Sequence, residues 1–368
     1  MKKHLLSTSA IALGVAMAAP ASAQDWNMKW GGYANTHVGI SDVSGSGVAA
    51  GADFDGVNIF TNSEIIFSPS VTLDNGMTFG YSVQMEALNA GGGSDGIDES
   101  YLTISSDTLG TIIVGSENSA GYKSMVAAPQ VGSMPVNSRS TSAFIPVTGS
   151  GGFRQAALSS YTEVAGTNDV QRITYFTPSF NGLTLGVSYA PSNAGNTSNN
   201  SPVNFNTGIS DIFDIGANYS QSFNGVDVSF GARYGTGDTA AVGVSDPETW
   251  GVGGQVSVSG FSFGGAYTEN DNGGAGGAGD QEGFSVGASY DIAGPWTVGL
   301  EGYFGEVDNG AGAPSSDYDA YKLAASRSLG SGVSWDVYYF YQETNNGAAA
   351  GNPSIDGNVL ATAINLSF

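Results

Sequence analysis

The chain has 368 residues, 56 of them glycine, and its 33 acidic against 10 basic side chains give a formal net charge of −23. With no cysteine it can form no disulfide framework, zinc-thiolate site or cysteine nucleophile, and its two histidines are too few for a multi-histidine metal centre. So few bases on so acidic a chain argue against a nucleic-acid partner, which needs clustered Lys and Arg, while 18 Phe, 17 Tyr and 5 Trp argue against a disordered chain.

Residues 1–23 read as a secretory signal peptide. Lys2 and Lys3 open it, Ala10–Ala19 is an apolar stretch of ten, and Ala21-Ser22-Ala23 is an A-x-A cleavage site. The stretch is too short to span a bilayer as a helix, which takes ~20 residues. The mature chain then starts at Gln24, and 24–368 is a single domain.

Beyond Gln24, strict alternation recurs in place of long apolar runs. The first strand carries Tyr33, Asn35 and His37 on one face and Gly32, Ala34, Thr36 and Val38 on the other. In Val226–Tyr234, an apolar face of Val226, Val228, Phe230, Ala232 and Tyr234 alternates with Asp227, Ser229, Gly231 and Arg233. Period two with one apolar face predicts strands between two environments. Predicted lengths of about 9–14 residues exceed the ~5–6 of soluble sheets and suit the ~9–11 that a tilted strand needs to cross a bilayer. The Gly/Ser/Thr/Asn face suits a water-filled lumen.

Short turns are predicted at Asp74-Asn75-Gly76, Asp107–Gly110, Pro178–Gly182, Asn224-Gly225, Ser259-Gly260, Ala293–Pro295 and Leu329–Gly332. They alternate with Gly/Asp/Asn-rich loops at roughly 42–56, 90–98, 118–169, 192–210, 237–247, 270–282, 306–317 and 344–356. Seven turns and eight loops make about sixteen strands, with both termini on the short-turn side. The fold class is therefore all-β: a transmembrane antiparallel β-barrel. The loop 118–169 is far longer than the ~12–15 residues beyond which loops are functional or disordered. It contains Val, Met, Phe and Pro, so it should pack on something, and the space open to it is the lumen. The chain closes with Leu360, Thr362, Ile364, Leu366 and Phe368 on one face, which reads as an outer-membrane insertion signal ending in an aromatic residue.

Four segments carry a family resemblance: Trp30-Gly31-Gly32-Tyr33; Leu109-Gly110-Thr111 with Val114-Gly115, leading into the long loop; the run Gln171–Gly182, QRITYFTPSFNG; and the terminal Phe368. In these the mature chain resembles the general porins of Gram-negative bacteria, especially the alphaproteobacterial type. The resemblance implies a sixteen-stranded homotrimeric barrel whose third loop folds inward and narrows the channel. It also implies passive diffusion of small hydrophilic solutes and ions across the outer membrane. One departure concerns charge. In familiar members the wall beside the constriction is basic and the third loop acidic; here the signs look reversed.

Alternation, counted from the nearest short turn, places Glu64, Glu86, Glu99 and Glu117 near mid-height on the second to fifth strands, with Glu301 at similar height on the thirteenth. The third loop carries Lys123, Arg139 and Arg154, and Arg172, Arg233 and Lys322 face the lumen from the sixth, ninth and fourteenth strands. This predicts a transverse field across an eyelet nearly balanced in sign, acids on one wall and bases on the loop and far wall. An acidic mouth adds mild cation selectivity that fades with salt.

Two other readings compete. An outer-membrane enzyme would need a nucleophile with an assisting base, and the mature chain offers one histidine, His37, which reads more simply as a polar lumen residue beside Tyr33 and Asn35. A Gly-rich calcium-binding surface protein is suggested by residues 272–280, but the repeat is not sustained. No cofactor is expected; loose Ca²⁺ binding at acidic loop residues such as Asp271, Asp280 and Asp308 is the one metal reading, without EF-hand spacing to support it. The outward faces of the first, fourth and fifth strands are small or β-branched and, with the last strand, are expected to face the threefold axis of a trimer.

Overall fold

The structure, a computed structural model, describes residues 25–88, 96–149, 163–193, 202–274, 279–310 and 312–368. Residues 1–23, read above as a signal peptide, and Arg154 lie outside the described residues. These residues form sixteen strands: β1 (Asn27–Ser44), β2 (Gly56–Thr72), β3 (Thr78–Leu88), β4 (Glu99–Ser106), β5 (Gly110–Ser116), β6 (Gln171–Phe176), β7 (Leu183–Ser192) and β8 (Ile209–Phe223). There follow β9 (Val226–Thr239), β10 (Glu248–Val258), β11 (Phe261–Asp271), β12 (Gln281–Asp291), β13 (Trp296–Val307), β14 (Ser316–Gly330), β15 (Val333–Asn345) and β16 (Ser354–Ser367). Each strand pairs antiparallel with its sequence neighbours, and β1 pairs with β16, so the sheet closes into a barrel with no edge. The predicted strand number and the alternation of turns and loops hold.

The turns close as their residues dictate. Between β8 and β9, Asn224 and Gly225 both adopt positive φ (51° and 82°), which a two-residue hairpin of matching twist requires. Ser259 and Gly260 repeat the geometry between β10 and β11 (51° and 84°). The predicted strand length is exceeded by β1, β2, β8 and β14, at 18, 17, 15 and 15 residues, and is not reached by β4, β5 and β6, at 8, 7 and 6 residues. The third loop leaves β5 and returns to β6 part-way up the wall, so β5 and β6 stop where the chain turns into the lumen, and β4 pairs with β5 no further than Ser100–Ser116.

No helix among the described residues is long and apolar enough to cross a membrane; the strands are the crossing elements. Their outward faces carry aliphatic residues between two aromatic belts. Near the short turns stand the pairs Trp30–Phe67, Phe261–Tyr290 and Trp296–Trp335, with ring centroids 4.5, 4.2 and 5.6 Å apart. Near the long loops stand Tyr189–Phe213 and Trp250–Tyr267, 4.9 and 5.3 Å apart. Exposed Val252, Val286, Leu300, Leu323 and Leu360 lie between them. Aromatic rings with polar tips suit the two membrane–water interfaces. In the closing strand Leu360, Ile364, Leu366 and Phe368 are exposed on this outer face, together with Thr362, whose hydroxyl takes a 2.7 Å bond from the Trp335 indole.

The third loop supplies the buried core. It begins with α1 (Ala120–Ser124), capped by the Ser119 side chain on the Tyr122 amide, and then follows the inner wall from β7 round to β16 and β1. Val131, Met134, Val136, Phe144 and Ile145 of the loop pack against Tyr303, Tyr318, Tyr338, Phe340, Val359 and Ala361 of the wall. Each such burial contributes about 1.5–3 kcal/mol, so the lumen side of the sheet provides an apolar core where a soluble protein would use a second layer.

The wall meets the loop through a line of glycines. A Cβ at Gly216 on β8 would stand 2.6 Å from the Ala120 carbonyl oxygen, and one at Gly231 on β9 would stand 2.5 Å from that of Ser124. One at Gly253 on β10 would run into the Val126 carbonyl oxygen, and one at Gly299 on β13 would stand 2.5 Å from a Val131 methyl. At Gly216, Gly231 and Gly253 the contact is main chain on main chain, which only a wall without side chains admits.

Candidate functional site

Register places the predicted wall acids on one inward face. Tyr33 of β1 lies opposite Glu64 of β2, Glu64 lies opposite Glu86 of β3, Gln84 lies opposite Glu99 of β4, and Glu117 follows directly on β5. Glu99 accepts 2.8 Å from the Asn118 amide and is also bonded by Gln84. Glu117, 1% exposed, meets Lys123 of α1 at 2.9 Å, and its second oxygen lacks a partner, as does one oxygen each of Glu64 and Glu86. Two further acids, Asp98 and Asp169, stand among them. Burial and then the Asp98 charge push Asp169 up to about 6, and its carboxyl is hydrogen-bonded to Glu99. Asp98, Glu117 and Arg172 are the charged groups acting on it. Asp169 is therefore ionised above that value and neutral below it. Lowering the pH from 7.5 to 5 should remove negative charge from this wall and weaken any cation preference. Reversal potentials at the two pH values measure this, and in Asp169→Asn the part of the change centred near pH 6 should vanish.

The bases on the far wall are placed differently from the sequence expectation. Arg172, Arg233 and Lys322 do point inward from β6, β9 and β14, but the loop covers them and each is at most 5% exposed. Arg233 is paired with Asp214 of β8 and, at 3.2 Å, with Glu163 near the end of the third loop. Arg172 stands 4.0 Å from Glu163 and bonds the Thr167 carbonyl. Glu163 in turn accepts from the Ser119 amide and hydroxyl at 2.7 and 2.6 Å, which joins the two roots of the loop. Lys322 donates 2.6 Å to the Met134 carbonyl and meets Glu301 of β13 at 3.0 Å. Glu301 accepts 2.8 Å from the Val131 amide, so it too is a loop anchor rather than part of the open acidic wall. Asp336 of β15 takes the Ser133 amide at 3.0 Å. The balanced eyelet read from the sequence assumed that inward charges meet water. The loop lies over half of them, and charges so buried must be paired.

Two predicted bases keep their place on the loop's lumen side: Lys123, its side chain about a third exposed (32%), and the exposed Arg139. Burial lowers the Arg139 pKa. His37 is 1% exposed beneath the loop, with Nδ1 3.0 Å from the Tyr338 hydroxyl, while Tyr33 and Asn35 line the passage. Asp214 and Asp336 were missed as site residues, although alternation along β8 and β15 puts both inward. Among the described residues no group of three or more acidic or histidine side chains is arranged to hold a metal ion.

The arrangement is a barrel open along one inner side, with a loop fixed across the other. A profile of the Gram-negative porin family matches residues 7–348. The chain belongs to the Gram-negative porin family. This porin is a passive diffusion channel of the bacterial outer membrane, which it crosses as a multi-pass β-barrel. Solved structures share the fold. The anion-selective porin from Comamonas acidovorans aligns with a TM-score of 0.57 at 14% identity, covering 94% of this chain and 100% of that one. OmpT of Vibrio cholerae, in vitro folded and in trimer form, gives 0.60 at 10% identity over 93% and 99%. A mutant of the Rh. blastica porin gives 0.54 at 19% identity over 93% and 100%. A search of curated protein sequences finds no match.

Proposed function

We propose that this porin passes small hydrophilic solutes with a mild preference for cations, works as a homotrimer in outer-membrane lipid, and is exported with residues 1–23 as a cleaved leader. The observation that carries the selectivity is the pairing of the far-wall bases beneath the loop. With Arg172, Arg233 and Lys322 paired to Glu163, Asp214 and Glu301, the open side keeps Glu64, Glu86, Asp98, Glu99, Glu117 and Asp169 against Lys123 and Arg139 among the described residues. A wall of one net sign concentrates counter-ions, and the effect shrinks as the Debye length falls to ~3 Å near 1 M salt. An anion-selective porin sits on the same fold, so the sign of selectivity belongs to wall charges and not to the barrel.

The trimer reading rests on the outer face of β1, β4 and β5, where Gly32, Ala34, Thr36, Leu102, Ile112 and Val114 are small or aliphatic, and on the trimer form of the similar OmpT structure. The channel reading is favoured over an enzyme because His37, the one histidine of the mature chain, is covered by the loop and bonded to Tyr338.

Replacing Glu64, Glu86, Glu99 and Glu117 together by Gln should move the zero-current potential in a salt gradient toward anion selectivity. An unmodified channel that already prefers anions, or a quadruple variant that does not move, would sink the proposal.

A further inference from the structure

Beside the acidic wall, between β1–β2 and the third loop, lies a recess of about 330 Å³ lined by Tyr33, Asn35, His37, Phe60 and Asn62 of the wall and by Ser133, Pro135, Ser138 and Ser140 of the loop. In an eyelet otherwise crowded with carboxylates, none of these lining residues is Asp, Glu, Lys or Arg. We propose that this recess is a subsite for neutral polyhydroxylated solutes of monosaccharide size.

The register builds the recess in rungs. Asn35 lies directly opposite Asn62, and His37 directly opposite Phe60. The two amides thus stand side by side, each offering a donor and an acceptor at the same height. Behind them the Phe60 and His37 rings lie 5.5 Å apart and tilted by 40°, with His37 held by Tyr338, so the floor is aromatic and fixed. Facing the amides, the loop contributes serine hydroxyls that also donate and accept. Vicinal hydroxyls of a sugar need paired donors and acceptors, and its C–H face suits an aromatic surface. None of the lining side chains gives an ion a formal counter-charge, and an apolar solute would strip water from amides and hydroxyls without replacing their bonds. The volume lies at the lower end of the ~300–1,000 Å³ of small-molecule sites, enough for one sugar ring with its ordered water.

The subsite rests on the open passage beside β1–β5, but its test is independent of ion preference. Single channels in planar bilayers are titrated with D-glucose and, separately, with triethylene glycol, a neutral solute of comparable size that lacks the hydroxyl pattern. Glucose should lower the mean current along a saturating curve with a millimolar half-effect, accompanied by excess current noise. Triethylene glycol should give only the linear fall that slower ions cause. Asn35→Ala with Asn62→Ala should raise the glucose half-effect concentration about tenfold or more, since each removes a hydrogen-bonding pair. Ser140→Ala, on the loop side, should raise it less, and serves as the second variant if the double one fails to assemble. Ser229→Ala, which faces the separate space lined by Val126 and Pro129, should leave it unchanged. Linear, identical curves for the two solutes, or a glucose curve unmoved by the recess variants, would overturn the proposal. The zero-current potential would still report the acidic wall in either case.

Discussion

Arg233→Met should unfasten the root of the third loop while the barrel stays closed. The Arg233 side chain is wholly buried and joins Asp214 on the wall to Glu163 near the loop's end, while Glu163 also holds Ser119 at the loop's start. Methionine fills a similar volume without charge; it leaves buried Asp214 without its ion pair and Glu163 with Arg172, at 4.0 Å, as its remaining base. Breaking a buried pair from one side costs about 3–5 kcal/mol, more than the few side-chain bonds left at this end supply. Limited proteolysis should then cut within 118–169 faster than in the unmodified porin, and single channels should flicker between conductance levels. Mobility of the folded barrel on cold gels should be unaltered, because the β9 ladders run through backbone groups that the side-chain substitution leaves in place. A variant as resistant and as steady as the unmodified channel would show that the loop is held elsewhere.

A second large effect is expected where the loop rests on bare wall. Gly231 and Gly253 are directly opposite each other on β9 and β10, and the chain from Ser124 to Val126 lies on both. Gly231→Val with Gly253→Val should push this stretch off the wall and into the passage. Overpacking of this kind costs about 1–3 kcal/mol per site, small against a sixteen-strand ladder but concentrated on the loop. Conductance should fall to roughly half or less, and liposome swelling should slow most for the larger sugars. Gly254, one residue on and facing outward, supplies the control: a Cβ there would meet nothing nearer than 3.3 Å, so Gly254→Ala should change neither measurement. Equal conductance in the double variant would mean that the seat is loose.

Much of this was legible in the sequence, because a barrel strand advertises itself locally. Asn224-Gly225 and Ser259-Gly260 name their own turns, and Val226–Tyr234 shows both faces of β9 within nine residues. Glu64, Glu86, Glu99 and Glu117 could be set side by side by counting from those turns. The loop's path could not. Gly216, Gly231 and Gly253 read as part of a polar face lining water, and only the third dimension reveals them as a seat. Arg233 and Glu163 are 70 residues apart, and nothing between them announces the pair. Alternation reports which side of the sheet a side chain takes, but not what else occupies that side. The same limit misplaced Arg172, Lys322 and Glu301 on the open wall.

The line of glycines beneath the loop also separates two properties of the passage. Along Ala120–Pro129 the loop rests with its own carbonyls against glycines of β8, β9, β10 and β12, so that edge is gauged by main-chain contact distances. Side chains change rotamer within nanoseconds; two apposed backbones have no such freedom. Width is thus fixed on one side by parts that carry no charge, and sign on the other by carboxylates of which only Glu99 and Glu117 also touch the loop, at its first turn. Substitutions along β2–β5 can retune which solutes are drawn in without altering the bore, and substitutions along the glycine line can resize the bore without altering what it attracts.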